Sequence, residues 1–489
     1  MTTEGGSLLL RQADRKIGLL RRVARCFTDY RQPERIEHRL EEMLAQRIYG
    51  LALGYEDLND HEQRRQDPLL GELAGKRDLS EPLAGKSTLN RLELTPAGSP
   101  AAERYNKIAY SPEAIDELLV TLFLESHRKA PRSMVLDLDA TDTHGKQEAR
   151  FFHGYYNHYC YLPLYIFCGD QLLRARLRPS NIDASAESLE EVQRIVAQIR
   201  KAWPHMQVIL RADSGFCREE LMAWCEQHEV VDYVFGFARN QRLRRKIAKE
   251  MRQATKEQQR TGQPARVFTE FFYQTRKTWS RNRRVVAKAE QIPDKENPRY
   301  VVTSLPLAAW PTRELYEQLY CARGEMENRI KEQLSLFSDR MSTESLRSNQ
   351  LRLYFSSLAY VLVEALRRSR RNRMGRVSSR DYSITIAEDR RPGSYHRAKD
   401  LDALCKGLPL EEGLCLGLGS STLLKNPPSQ KLHPSSRKQK AAARLKHSSK
   451  ANPDRLPDRK TNTEKREQRK MNQLAVQSTI GLHLVRKAG

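Results

Sequence analysis

Two apolar runs in this chain end on acid: "SMVLDLDAT" (133–141) and "VILRADSGF" (208–216). Strand alternation puts Asp137 and Asp139 on one face of the first run, with Thr141 beyond them, and leaves Asp213 at the tip of the second. A carboxylate at the end of a buried strand is costly unless a metal ion, a basic side chain or solvent receives it. Sites in open α/β sheets gather at such strand ends. A third acid lies on a helix. Tyr320, Arg323, Glu327 and Lys331, spaced three, four and four, share one helical face and set a carboxylate between two cations and a phenol. Taken alone, such a stripe reads more simply as a salt-bridged face turned to water. Taken together, two strand-end Asp and a helical Glu form an oxygen-only set of the kind hard cations such as Mg²⁺ prefer. Two such ions, ~3.5–4 Å apart, activate the attacking oxygen and stabilise the leaving oxygen in phosphodiester chemistry.

Composition narrows the substrate. The 489 residues include 85 Lys and Arg against 61 Asp and Glu, a net charge of +24. That excess favours a polyanionic partner, nucleic acid first and an anionic membrane surface second. No apolar run approaches the ~18 residues that span a bilayer. The start "MTTEGGSLLLRQADRKIGLL" carries acid early and no signal-peptide core, so a cytoplasmic protein without a membrane partner is expected. The eight cysteines are scattered with no C-x-x-C pair and read as reduced, mostly small buried residues. His144, His153 and His158 with Cys160 mimic a zinc set, but their spacing matches no zinc pattern. They read as polar residues around a DNA cleft. "GKST" (85–88) invites a phosphate-loop reading, yet that motif needs a glycine at position 80, which is Ser80, and a preceding strand.

The elements that would position these groups follow from periodicity. Residues 1–125 read as a helical N-terminal region. Within it, "LAGKSTLNRLEL" (83–94) is a short helix whose start near Ser87 could face DNA phosphates; plain helical packing is the alternative. From 131 to 237 the pattern is three or more strands, then helix, strand, helix, strand, which makes a mixed α/β sheet. Residues 238–310 hold a charged helix, a hairpin in "RVFTEFFYQTRKTWSRNRRVVAKAE" and a further strand, "RYVVTSL". Residues 311–372 read as long helices carrying the Glu327 stripe. Periodicity fades over 373–424. Residues 425–470 hold 15 Lys and Arg, 4 Asp and Glu, and almost no large apolar side chains, so they read as a disordered basic arm ahead of a short end, 471–489.

"LDLDATD", "LRADSGF" and "YCARGEMENRIKE" resemble the three acidic motifs of DDE transposases. Tyr320, Arg323 and Glu327 match the Y-x2-R-x3-E signature of the IS4-like clan of bacterial insertion sequences. "LALGYEDLNDHEQRRQDPLL", "STLNRLE", "RADSGFCREEL" and "TWSRNRRVVAKAE" resemble the insertion-sequence 1380 family in particular, over about residues 5–370. The resemblance implies an α/β fold. It would have an RNase H-like catalytic core, a β-rich insertion domain at 238–310, a helical DNA-binding N-terminal domain and a basic tail. It also implies DNA cleavage and strand transfer, two Mg²⁺ (or Mn²⁺) ions per site, terminal inverted repeats and target DNA as partners, a homodimer on DNA, and a place at the bacterial nucleoid. By position it makes Asp139, Asp213 and Glu327 the catalytic metal ligands, Asp139 rather than Asp137 because Thr141 follows. Tyr320 and Arg323 would touch DNA phosphate. Where the clan carries a lysine seven residues after the Glu, this chain has Leu334, and Lys331 is the nearest basic residue on that face. Trp279, near the hairpin tip, matches an aromatic that stacks on a flipped base in some relatives; a packed hairpin tryptophan is the other reading. The end "QSTIGLHLVRKAG" (477–489) resembles the family's C-terminus, but an unrelated stretch separates it from "YVLVEALRR". That departure supports the alternative of a non-catalytic DNA-binding protein derived from a decayed transposase.

Deleting residues 425–470 removes eleven of the twenty-four net positive charges. It is expected to weaken non-specific DNA binding and flatten the slope of log affinity against log salt, because bound Lys and Arg release counterions. Discrimination of repeat from random DNA should persist. Fluorescence anisotropy across a salt series checks this, and an unchanged slope would place the arm off the DNA.

Overall fold

The computed structural model describes residues 7–94, 104–145 and 147–374. Apart from residues 373 and 374, the expected irregular stretch, basic arm and C-terminal segment lie outside these residues. The N-terminal helices are α1 (Ser7–Ile17), α2 (Leu19–Ala24), α3 (Leu40–Leu53), α4 (Leu58–Gln63), α5 (Pro68–Ala74), α6 (Lys86–Glu93) and α7 (Pro112–Glu125). One strand pair interrupts them: β1 (Phe27–Asp29) runs antiparallel to β2 (Ile108–Tyr110). Three-residue strands so far apart in sequence leave no alternation to read.

The sheet grows outward from its most apolar strands. β3 (Ser133–Ala140) is followed by β4 (Thr143–His144), β5 (Phe151–His153) and β6 (His158–Tyr161), which form a small three-stranded sheet of order β4-β6-β5. The chain then enters β7 (Leu164–Cys168) and β8 (Gln171–Arg176), turning at Gly169, whose φ of 58° is left-handed. The amphipathic helix α8 (Ser188–Ala202) leads to β9 (Gln207–Ala212), and α9 (Glu219–Gln227) leads to β10 (Val231–Phe237). β9 lies parallel to both β3 and β10, whereas β7 and β8 add antiparallel on the other side of β3. Parallel strands buried on both faces need continuous apolar runs, and β9 buries Val208, Ile209 and Leu210.

After α10 (Gln241–Lys246) and α11 (Ala248–Thr261) come β11 (Ala265–Tyr273), β12 (Arg283–Ile292), β13 (Lys295–Glu296) and β14 (Arg299–Thr303). The strands of 238–310 do not make a sheet of their own. β14 pairs antiparallel with β10, and the full order is β11-β12-β14-β10-β9-β3-β7-β8, with β13 on β12. Without β14, β10 would end the sheet with its backbone groups unpaired, and extending the sheet satisfies them.

The helical region also differs from expectation. Instead of one α-helix through Tyr320 and Glu327, α12 (Thr312–Glu314) runs into a π-helix over Leu315–Tyr320 and a 3₁₀ turn over Cys321–Arg323. α13 (Gly324–Gln333) follows, and then a second π segment over Leu334–Ser338. The last helix, α14 (Leu346–Met374), is buried on two sides. Leu351, Tyr354, Phe355 and Leu358 join the N-terminal helical core, while Leu353 and Tyr360 join the core under β7 and β8. Glu93, fully buried on α6, binds Arg47 of α3 at 2.6 Å and Arg352 of α14 at 2.7 Å.

The charge pair at the sheet's centre docks the helical region. Arg211 of β9 grips Asp137 of β3 through Nε at 2.5 Å and Nη2 at 2.7 Å, and its Nη1 donates to the Leu319 carbonyl at 2.5 Å. Both side chains are under 10 % exposed. Arg211→Met is expected to destabilise the protein by roughly 3–5 kcal/mol, because it strands Asp137 as a buried unpaired charge. Adding Asp137→Leu should recover most of that loss in urea unfolding. An equally unstable double variant would show that the pair's worth lies elsewhere.

Candidate active site

Asp137 and Asp139 point to the same side of β3 and meet different partners. Asp137 is spent on Arg211. Asp139, two residues further out, is 17 % exposed and lies at the edge of the cleft, its Oδ1 accepting from the Ala140 amide at 2.9 Å. Asp213 follows β9 and caps the turn Ser214–Phe216, where its Oδ1 accepts from the Gly215 amide at 2.8 Å. That turn sits on Gly236 of β10. A Cβ there would stand 2.5 Å from the Tyr320 hydroxyl and 3.0 Å from the Ser214 amide, so only glycine lets strand, turn and helix meet.

The helical residues arrive from the opposite wall. Arg323 lies between two of the three acids: Nη1 is 3.2 Å from Asp139 Oδ2 and Nη2 is 2.7 Å from Glu327 Oε1. Asp213 contributes its charge to the same place. Burial, first, pushes the Asp139 carboxyl up to about 7; Arg323 opposes this, while Asp213 and Glu327 add to it. Burial likewise raises the Tyr320 phenol, so it stays a neutral donor at neutral pH. The structure therefore brings Asp139, Asp213, Tyr320, Arg323 and Glu327 together. The charges of Asp213 and Glu327 are felt at Asp139, with the Arg323 guanidinium among the three carboxylates; among the described residues the three do not close to the 4.8 Å spacing of a metal-ligand group.

Other expected residues fall elsewhere. Lys331 is exposed, further along α13. Trp279 is buried at 7 % exposure rather than presented to a base. It packs on Phe237 at 4.9 Å and Tyr273 at 6.0 Å, with the Arg283 guanidinium over its ring at 5.4 Å. A hairpin tryptophan beside two aromatics gains more from core contact than from solvent. The start of α6 is also taken, since Glu62 accepts from the Lys86 amide at 2.9 Å. Of the described cysteines, Cys26, Cys160 and Cys225 are buried as expected and Cys321 is exposed.

Sequence spacing missed Gly236 and the Arg211 clamp. It also missed a second cluster, in which Asp142 joins His144 and His158 while His153 and Cys160 stay out. Only the antiparallel pairing of β4 with β6 brings 142–144 to 158, and spacing along the chain carries no sign of it.

Residues 1–379 match the family model described as the transposase DDE domain group 1. Among solved structures the chain is similar to a piggyBac transposase synaptic complex with hairpin DNA. The TM-score is 0.38 and the identity 11 %, over 81 % of this chain and 79 % of that one. No curated protein matches the sequence. Among the described residues, no helix is long and apolar enough to cross a membrane.

The raised Asp139 carboxyl carries a stability cost with a defined sign. The folded protein keeps this proton up to about pH 7, and the unfolded chain only to its ordinary 3.8. The folded state therefore binds the extra proton between those values, and stability falls as pH rises through the window. Asp139→Asn, measured in chelator, is expected to be more stable than the natural protein by roughly 1–3 kcal/mol above pH 7 and equal to it below pH 3.8. Melts at several pH values check this; a variant no more stable at pH 8 would mean that Arg323 fully compensates the charge.

Proposed function

The chain belongs to the transposase DDE domain group 1 family, and from that premise we propose a member of the insertion-sequence 1380 family that binds its element's terminal inverted repeats, cuts the DNA and joins the 3′ ends to target DNA. The observation that carries this reading is Arg323 paired with Asp139 and Glu327, with the charge of Asp213 acting on both Asp139 and Arg323. The strand order β8-β7-β3-β9-β10, three antiparallel strands followed by two parallel ones, supports an RNase H-like core. The net charge of +24 supports DNA as the partner. The helices of 1–125 are proposed to bind the repeats, and a homodimer at the nucleoid completes the reading.

Asp139, Asp213 and Glu327 would hold Mg²⁺ or Mn²⁺, two ions per site. When bound, such ions lower the pKa of the attacking water or hydroxyl and neutralise charge on the scissile phosphate. The chain's own groups do the positioning. Asp139 becomes an anionic ligand as its proton leaves near pH 7, so cation affinity should rise with pH through that value. Arg323 offers a planar fork that fits a phosphate in bidentate fashion. Tyr320, held over Gly236, would donate its hydroxyl to a DNA phosphate oxygen. Arg323 cannot serve phosphate and both carboxylates at once, so its two ion pairs must loosen when DNA enters.

A second reading, a DNA-binding protein derived from a decayed transposase, draws on the stretch before 477–489 and on Leu334 in the lysine's place.

Labelled inverted-repeat DNA with Mg²⁺ separates the two. Asp139→Ala, Asp213→Ala and Glu327→Ala should each abolish cleavage and leave end binding nearly intact, because affinity comes mostly from phosphate contacts. Arg323→Lys should already lose most of the rate, and Lys331→Ala should mainly weaken binding. Normal cleavage by any acid variant would remove that residue from the site. Binding without cleavage by the natural protein would favour the second reading.

A further inference from the structure

Beyond Asp139 the chain forms a second cluster of ligating groups that the cleavage reading does not use. Asp142 precedes β4, His144 ends it, and His158 opens β6, which pairs with β4. One ligand atom from each lies within 4.8 Å of the other two. The His144 and His158 rings stack 4.6 Å apart at 18°. Asp142 Oδ2 stands 2.8 Å from His158 Nε2, which is buried yet makes no aligned hydrogen bond. A buried ring nitrogen without an aligned partner is an unmet demand.

We propose that Asp142, His144 and His158 form a transition-metal site, for Zn²⁺ or an ion of similar preference, distinct from the carboxylate cluster. Two imidazoles and one carboxylate suit Zn²⁺, whereas Mg²⁺ selects oxygen donors. Tetrahedral zinc at ~2.0–2.2 Å from each ligand needs donor atoms roughly 3.3 Å apart. The Asp142–His158 separation of 2.8 Å has to open slightly for this, and the His144 ring, which is exposed, has to turn toward the shared point. Three protein ligands leave one position for water or another donor.

The site's place in the fold gives it a role. The His144 amide donates to the Asp339 carbonyl at 2.9 Å, and the Met341 amide donates to the His144 carbonyl at 2.7 Å. β4 thus joins the chain that leaves Asp139 to the segment that follows the Glu327 helix. Tyr156, in the β5–β6 turn, donates to the Ala140 carbonyl at 3.3 Å. A metal bridging β4 and β6 locks the small sheet against both arms of the acidic cluster. The inference does not rest on cleavage.

The test uses the full chain, stripped by chelator and titrated with Co²⁺. The natural protein and Asp139→Ala should each show, at one equivalent, the intense visible bands of four- or five-coordinate cobalt. Zn²⁺ should erase them and Mg²⁺ should not. His144→Ala and His158→Ala should lose the bands and weaken Zn²⁺ binding by more than the roughly 10–100-fold that loss of an outer-shell partner costs. His153→Ala should keep both. Because His144 is exposed, His144→Ala should melt with the natural protein when metal-free, so its loss reads the metal contact alone. No bands in the natural protein, bands that survive both histidine variants, or bands that vanish with Asp139→Ala would overturn the proposal.

Discussion

The site depends on a buried charge that must be neutralised. Asp137 and Arg211 face each other inside the sheet, where either alone would cost several kcal/mol. Their pairing leaves Arg211 one nitrogen to spare, and it goes to the Leu319 carbonyl. That carbonyl lies in the π-helix over Leu315–Tyr320, just before the 3₁₀ turn over Cys321–Arg323. One guanidinium thereby joins the two central strands to the helical wall. Tyr320, Arg323 and Glu327 follow within eight residues of Leu319, so the same contact that makes burial tolerable also sets the distance between the helical acid and the strand-end acids.

Two aspartates separated by one residue have opposite fates for a reason of depth. Asp137 lies where only a protein cation can reach it. Asp139 lies one pleat nearer the cleft, where its Arg323 pairing is shared with Glu327 and worked against by Asp213. The inner acid is fully answered and holds the fold. The outer acid is under-answered, and a carboxyl raised to about 7 is the sign of it. Clustered like charges cost stability, and this chain places them at two strand ends and in the first turn of α13.

Much of this was legible in the sequence. Strand alternation put both aspartates on one face, and apolar length marked β3, β9 and β10 as buried strands, the first two tipped with acid. The helical stripe brought Arg323 and Glu327 together as its spacing required. What was not legible depended on pairing across the chain. No local signal separates a hairpin domain from strands that extend a neighbouring sheet, because both present the same alternation; only the unpaired edge of β10 decides it. Trp279 reads alike as a base platform or a core residue until Phe237 and Tyr273 are known to flank it. The π and 3₁₀ segments around Tyr320 leave the three-and-four spacing unchanged in sequence. Asp142 and His158 stand sixteen residues apart and meet only through a strand pair too short to show periodicity.

The helix α14 extends this logic beyond the site. Between Leu351 and Ala365 its apolar residues point to more than one side, and they are covered only when the helix is packed on both. Leu351, Tyr354 and Leu358 need the N-terminal helices, and Leu353 and Tyr360 need the sheet. The buried Glu93, held by Arg47 and Arg352, adds a polar tie that fails if either partner moves away. The N-terminal helices therefore share a core with α14 rather than hanging from a linker. A force on those helices reaches α14 through close-packed side chains, and α14 lies directly behind the second π segment that follows Glu327, where Ser356 donates to the Leu336 carbonyl at 2.8 Å. Packing of this kind is not continuously deformable. The π and 3₁₀ segments that flank the Glu327 helix are the irregular stretches between the sheet and this packed helix.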